Sequence, residues 1–488
     1  MHSRAVFVHN QVFLSIYYSY FQTDKPCLIF FSYLCNMTRK TYINILTLLS
    51  LIVSISSTAQ DKLSKRATTV NGNNATTLLT VPSEEMPNDT LSQEGEERKE
   101  FETADLLALA DSMASDSMAR EVSFPERAVM KIDNLLKDNL FKTSQVGLMV
   151  WDLDRDTLIY AYNEKQLMRP ASTMKILTAI TALDKLGKNY RYMTSVYATG
   201  DCDSTSLCGN IYVKGGMDPS FGSYDMDCFI EDIAKLHIDT IRGKLVADLS
   251  FKDSKPFGEG WCWDDKNPTL TPLLYNKTDN FLAILRERLK AQGIVVMGGD
   301  SVGVVPSNAR LLGERYSSIE SILYCTLKDS DNLYAESLLY HLGSGNGRPA
   351  TAKRAQEAEK EVLRKAGVDK SQYRLADGSG LSLYNYLSAE CEVKLLRYAY
   401  KNKKYFGTFC QALPSAGVDG TLKRRMTHEP VLDNVRAKTG TLTGIVSLAG
   451  YATSPEGNML AFCIINQSVM SAKSARNFQD RVCMAICK

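Results

Sequence analysis

The sequence predicts an α/β (α+β) fold in which one antiparallel sheet, flanked by helices, is assembled from both ends of the chain around an inserted α/β region. Three observations predict it. Two apolar strand pairs stand far apart, VGLMVWDL with TLIYAYN and IVSLAGYA with MLAFCIINQ, each joined by a turn. Helical patterns lie outside both pairs, FPERAVMKIDNLLKDNL before the first and SARNFQDRVCMAICK after the last. Between them short strands alternate with helical pieces, as in layered α/β structure.

Taken in order, residues 1–36 are rich in Phe and Tyr and read as an upstream extension, neither a signal nor a domain. Residues 37–59 read as a signal peptide, with basic Arg39 and Lys40, an apolar run from 43 to 55, and small Ser57, Thr58 and Ala59 before Gln60. The expected location is therefore exported, periplasmic; an anchor that is never cut is the competing reading. Residues 60–122 carry 13 Asp or Glu against 6 Lys or Arg and a single aromatic, the composition of an acidic disordered linker. The main domain, which carries the sheet, is expected over 123–189 and 307–488, with accessory structure inserted at 190–306. In the first helix Val129, Met130, Ile132, Leu135 and Leu136 recur at helical spacing behind Pro125. The turn Asp154, Arg155, Asp156 joins the first strand pair, and SPEGN joins the second. The insertion alternates strands such as GNIYVKGG and GKLVADLSF with helical DCFIEDIAKLH and TDNFLAILRERLKAQG.

A length of 488 residues allows roughly two to four structural units. Net charge is +2, with 57 basic against 55 acidic residues, which excludes an electrostatic footprint for nucleic acid. Ten of the 12 cysteines follow Gln60. Cys202 and Cys208 flank DSTSL, and a local disulfide or two free thiols fit the spacing equally. No CxxC or HExxH occurs, so neither a metal site nor a cofactor has support.

The chemistry lies in three short segments. Ser172 is the only serine of the chain with a lysine three places later, in RPASTMKILTA at the start of a helix with one apolar face. That spacing puts Ser172 and Lys175 on one face. A serine hydroxyl needs an adjacent base, and lysine serves as one when burial or a neighbouring cation disfavours its charged form. Alone, SxxK reads more simply as a helix start with a surface lysine. Ser330, Asp331 and Asn332 then precede another helix, and Lys438, Thr439, Gly440 and Thr441 open the second strand pair; KTG occurs nowhere else. A second SxN at 344–346 lies in a glycine-rich turn. SxxK, SDN and KTG in that order form the signature of active-site serine penicillin-recognising enzymes.

Around them stand GGMDPSF (215–221), GWCWDD (260–265), LADGSGLS (375–382), LPSAGVDGTLKRRM (413–426) and RAKTGTLTGIVSLAGYA (436–452). Together these closely resemble the class C low-molecular-mass penicillin-binding proteins, the D-alanyl-D-alanine carboxypeptidase/endopeptidases, from about residue 124 to the C-terminus. The resemblance implies a β-lactamase/transpeptidase-like catalytic domain with extra domains in the wide gap between the first two motifs, here 158 positions from Ser172 to Ser330. It implies that Ser172 attacks the carbonyl between two D-alanines and Lys175 takes its proton, with the backbone N–H groups of Ser172 and Thr441 holding the oxyanion. By the same resemblance Ser330 relays a proton to the leaving amine, Asn332 orients Lys175, and Lys438, Thr439 and Thr441, with Gly440 between them, read the terminal carboxylate. The implied partners are the peptidoglycan stem peptide and β-lactam antibiotics as covalent inhibitors, with a homodimer left open. Asp218 is offered as a contact to the stem's diamino acid, against a plain turn before Pro219. Trp261 and Trp263 read as buried anchors, and Asp377 and Ser379 as cleft or turn residues.

Rivals are weaker. GxSxG at 299–303 is followed by VGVVPSN, which starts no helix as an α/β-hydrolase elbow requires. A β-lactamase or esterase on the same fold differs only in how fast water reaches the acyl-enzyme, and a non-catalytic wall-binding protein has no use for an intact Ser172, Lys175, Asn332 and Lys438.

Overall fold

The structure is a computed structural model describing residues 122–264, 267–345 and 347–487. The expected extension, signal peptide and all but the last residue of the acidic linker lie outside the described residues, as do Asp265 and Asn346. In chain order, α1 (Phe124–Leu135) leads into the hairpin β1 (Gln145–Asp152) and β2 (Thr157–Tyr162), and α2 (Met174–Lys185) follows. Next come β3 (Arg191–Ala198), β4 (Ser206–Leu207), β5 (Ile211–Lys214), α3 (Ser223–Ala234), β6 (Thr240–Ile241), β7 (Leu245–Asp248), α4 (Phe281–Ala291), β8 (Val295–Val296), β9 (Asp300–Val302) and β10 (Arg310–Ser318). The chain closes with α5 (Ile319–Leu327), α6 (Asn332–Leu342), α7 (Ala352–Lys365), α8 (Ala389–Lys401), α9 (Phe406–Ala412), β11 (Arg436–Leu442), β12 (Ile445–Thr453), β13 (Met459–Gln467) and α10 (Ala472–Ile486).

The main sheet has the order β11-β12-β13-β1-β2, all antiparallel, so strands from the two ends of the described chain meet at β13 and β1. Leu460, Phe462 and Ile464 of β13 join Val146, Leu148 and Val150 of β1 in a core under α1 and α10. Their alternates Ala461, Cys463 and Ile465, with Met149, face a second core built by α2 and α5–α8. Covered on both faces, these strands have no polar alternation, which is why they read as continuous apolar runs. In α1 the buried side is Phe124, Ala128, Ile132 and Leu135, whereas Met130 is 65% exposed.

A second sheet, in the order β10-β3-β5-β7-β9, holds its own core with α3 and α4, among them Val196, Val213, Phe229 and Leu285. β10, beyond the expected end of the insertion at 306, pairs along its length with β3 in this sheet. A small core of Met217, Leu270, Leu274, Leu333, Tyr340 and Ala350 joins that region to α6, the helix that begins at Asn332. Cys202 and Cys208 are free thiols. Cys202 bridges Leu207, so Cys208, one residue on, turns to the opposite face, and the local disulfide is not formed.

Candidate active site

Ser172 does not sit on α2 itself but in a single 3-10 turn, Ala171–Thr173, that runs directly into it. Ala171, just before the nucleophile, is held at φ +50°, and Ser330 at φ +61°. Both are left-handed positions that cost a non-glycine residue energy, and such strain gathers where a side chain must be aimed. The turn is pinned from the sheet: Ser447 Oγ on β12 donates to the Pro170 carbonyl at 2.5 Å, and Thr173 Oγ1 to the same oxygen at 2.8 Å. β11 comes so close that a Cβ on Gly440 would lie 2.9 Å from Ser172 N and 2.9 Å from Pro170 O. On the other side, a Cβ on Gly380 would lie 1.8 Å from the Ala171 carbonyl oxygen. The glycines of KTG and of LADGSGLS are what let two backbone segments close on the serine.

Lys175 is fully buried, and its Nζ makes three contacts: Ser172 Oγ at 2.9 Å, Asn332 Oδ1 at 2.8 Å and the Ser379 carbonyl at 2.7 Å. Two of these partners are carbonyl oxygens, which only accept. A neutral amine has two N–H bonds and one lone pair, so with both hydrogens given to the carbonyls the lone pair is left facing the Ser172 hydroxyl. Burial pushes the Lys175 ammonium down to about 8, against the opposing pull of Asp377, Glu336 and Asp331. Lys438, also fully buried, donates to Ser330 Oγ at 2.8 Å and to the Thr439 carbonyl at 2.7 Å. Burial first, and the nearby Lys175 second, lower it well below the ordinary lysine value.

The middle motif is placed by a helix start. Asp331 Oδ1 caps α6, accepting from Leu333 N at 2.9 Å and Tyr334 N at 3.2 Å, which leaves Asn332 as the first helical residue facing Lys175. Thr439 Oγ1 donates to Thr421 Oγ1 at 2.8 Å, and Thr441 Oγ1 accepts from Arg476 Nη2 on α10 at 3.2 Å.

The structure thus brings Ser172, Lys175 and Asn332 into one hydrogen-bonded group, joins Ser330 to Lys438, and lays Gly440 against the Ser172 turn between Thr439 and Thr441. Asp218 is apart from it. It is 3% exposed, its Oδ1 accepts from Ser220 N at 2.8 Å in a tight turn, and burial raises its carboxyl to about 6. No hydrogen bond connects it to the five catalytic candidates among the described residues.

One sequence expectation changes. Trp263 is 94% exposed, so it anchors nothing; Trp261 is partly buried, and its Nε1 donates to Asp377 Oδ2 at 2.8 Å. Asp377 also receives Ser379 Oγ at 3.1 Å, Gly380 N at 2.8 Å, Ser382 N at 2.8 Å and Asn385 Nδ2 at 2.6 Å. It holds the loop whose Ser379 carbonyl faces Lys175, a role visible in the sequence only as the Asp-Gly-Ser-Gly turn. Glu336, one turn after Asn332, has no motif to mark it in the sequence: its Oε1 accepts from Gly378 N at 3.0 Å and Ser379 N at 2.8 Å, and burial raises it to about 8.

Known proteins share this architecture. The crystal structure of penicillin binding protein 4 from Haemophilus influenzae superposes with a TM-score of 0.67 at 24% identity, covering 72% of this chain and 98% of that one, which establishes the common fold. In sequence, the D-alanyl-D-alanine carboxypeptidase DacB of Haemophilus influenzae is 26% identical over 443 residues, 73% of this chain and 92% of the relative. The D-alanyl-D-alanine carboxypeptidase of Actinomadura sp. (strain R39) is 26% identical over 458 residues, 74% of this chain and 84% of the relative. Matches at residues 128–273 and 270–486 take in nearly all of the described chain, three motifs included, and by them the chain belongs to the D-Ala-D-Ala carboxypeptidase 3 (S13) family.

Proposed function

We propose that this chain is a serine-type D-Ala-D-Ala carboxypeptidase/endopeptidase that cleaves peptidoglycan stem peptides or cross-links through an acyl-enzyme on Ser172. The observation that carries this is the Lys175 amine, buried, with its hydrogens committed to Asn332 Oδ1 and the Ser379 carbonyl and Ser172 Oγ at 2.9 Å. In the reaction Ser172 Oγ bonds to the carbonyl carbon of the penultimate D-alanine while its proton passes to Lys175 Nζ. The negative oxygen that forms is received by the backbone N–H groups of Ser172 and Thr441. The C–N bond then breaks, and the proton taken up by Lys175 passes by way of Ser330, whose hydroxyl meets Lys438 Nζ at 2.8 Å, to the departing D-alanine amine, which leaves Lys175 neutral again. Water hydrolyses the Ser172 ester and restores the serine. Lys438, Thr439 and Thr441 bind the substrate's terminal carboxylate and Asn332 also orients its amide; a contact of Asp218 to the side-chain amine of the stem's diamino acid competes with a plain turn role, which its burial and its bond from Ser220 N favour.

β-Lactams acylate Ser172 in the same way, a reading in keeping with the β-lactam complex of the Haemophilus influenzae penicillin binding protein 4. Periplasmic export belongs to the proposal on the strength of residues 37–59, and N-terminal sequencing of the secreted protein starting near Gln60 is its test. A homodimer is tested by the mass of the purified protein in solution. Incubation with wall fragments, with products identified by mass, tests the activity: loss of one terminal D-alanine, or scission of cross-linked dimers, supports the proposal. Rapid turnover of a β-lactam without D-alanine release would instead favour a β-lactamase on this fold.

A further inference from the structure

The site has a charge problem. A peptide ending in a free D-alanine brings a carboxylate to the Thr439–Thr441 edge, yet the lysine of that edge, Lys438, is lowered well below its ordinary value by burial and by Lys175. Lys175 itself is lowered to about 8 and must be neutral to act as a base. Lys438 Nζ is moreover already engaged by Ser330 Oγ and the Thr439 carbonyl, so the edge meets the carboxylate chiefly with the hydroxyls of Thr439 and Thr441, and desolvating an anion with so little opposite charge beside it is costly.

One cation reaches this edge from outside the motifs. Arg476, in the second turn of α10, donates from Nη2 to Thr441 Oγ1 at 3.2 Å. Among the described residues no acidic side chain pairs with it, although its neighbours do pair: Arg425 with Asp480, and Arg481 with Asp138. The helix position is itself fixed, since Arg425 Nη2 donates to the Arg476 carbonyl at 3.5 Å and to Gln479 Oε1 at 3.2 Å. Gln479 in turn donates to the Val446 carbonyl, opposite Thr441 in the β11–β12 pair, at 3.2 Å. A guanidinium stays charged where an amine does not, and it offers five donors of which Thr441 takes one. By occupying a lone pair of the Thr441 oxygen, it also turns that hydroxyl's hydrogen away, toward an acceptor.

We infer that Arg476 is a specificity-determining residue of this site, supplying from α10 the permanent positive charge that selects substrates with a free C-terminal carboxylate. The inference rests on the carboxypeptidase reading, and it adds a residue outside SxxK, SDN and KTG. The carboxylate bonds to Thr439 and Thr441 and faces the guanidinium beside them. A substrate whose terminus is an amide lacks that pairing.

The test compares Arg476→Ala, Arg476→Lys and wild type on two pairs of acylating agents. The first pair is an acyl-D-Ala-D-Ala peptide with a free terminus and its C-terminal amide, read as kcat/KM. The second is a penicillin with a free carboxylate and its carboxylate ester, read as the acylation rate of Ser172 by intact mass. In both pairs the preference for the free acid is expected to fall roughly 10- to 100-fold in Arg476→Ala, the scale of a hydrogen bond to a charged group, and to return in part in Arg476→Lys. A preference unchanged in Arg476→Ala, or a lysine variant no better than alanine, overturns the assignment. The penicillin pair keeps the two claims apart: wild type that is acylated but releases no D-alanine removes the carboxypeptidase reading while leaving the role of Arg476 measurable.

Discussion

Gly440→Ala tests whether the approach of β11 to the nucleophile turn sets the geometry of acylation. The added Cβ would stand 2.9 Å from Ser172 N and from Pro170 O, short of an ordinary contact of 3.4 Å by about 0.5 Å at two backbone atoms. It would also stand 2.1 Å from Ser447 Oγ, whose bond to Pro170 O anchors the turn. Ser447 is able to rotate away; the two backbone contacts are relieved only if β11 and the serine part. Overpacking of this kind costs about 1–3 kcal/mol. A displacement near 1 Å between reacting groups costs on the order of 100-fold in rate. The separation forced here is about half of that, so acylation by a fluorescent penicillin is expected to slow about 10-fold in Gly440→Ala while the protein stays folded. Gly440→Ala/Ser447→Ala should not recover, because the backbone contacts persist. A Gly440→Ala protein acylated within about threefold of wild type would refute the argument.

Other consequences follow from buried charge. Because only neutral Lys175 accepts the Ser172 proton, the acylation rate should rise with pH through about 8 and then level; a rate flat or falling across that range contradicts the assignment of the base. Burial raises Glu336 and Glu359 from 4.5 to about 8, and Glu392 to about 7. The folded chain thus holds protons that the unfolded chain releases above its ordinary carboxyl range, so this stabilisation is complete below pH 4.5 and lost as pH rises through 7 to 8. Melting temperature should fall over that range, and less steeply in Glu359→Gln, which stays neutral; an equal slope in wild type and variant counts against it. Asp377→Ala strands the donors of Trp261, Ser379, Gly380, Ser382 and Asn385, and should cost at least about 3 kcal/mol in denaturant unfolding. A loss below about 1 kcal/mol would mean that water replaces the carboxylate.

The parts of the site legible in the sequence are those whose spacing is local. Ser172 and Lys175 meet because one helical turn separates them, Asn332 is aimed by the Asp331 cap beside it, and the KTG strand shows as the start of an apolar hairpin. The main sheet was legible for the same reason, since its hairpins are short-range and their apolar runs continuous. The acids behind the lysine were not. Glu336, Glu359 and Glu392 lie on helices whose pattern gives no sign that a glutamate points inward, and their partners Ser379, Thr178 and Thr173 stand 43, 181 and 219 positions away. Trp263 misled because an aromatic beside a buried one reads as core, while the chain turns it outward. Arg476 sits in a helix whose apolar face dominates the pattern, and nothing local links it to Thr441, 35 positions earlier.

The most direct measurement is the site of penicillin attachment, by intact mass and peptide mapping, in wild type, Ser172→Ala and Lys175→Ala. One penicillin per chain on Ser172, absent from Ser172→Ala and slowed at least about 100-fold in Lys175→Ala, is the predicted result. Attachment at another residue, or Ser172→Ala labelled as fully as wild type, would contradict the account.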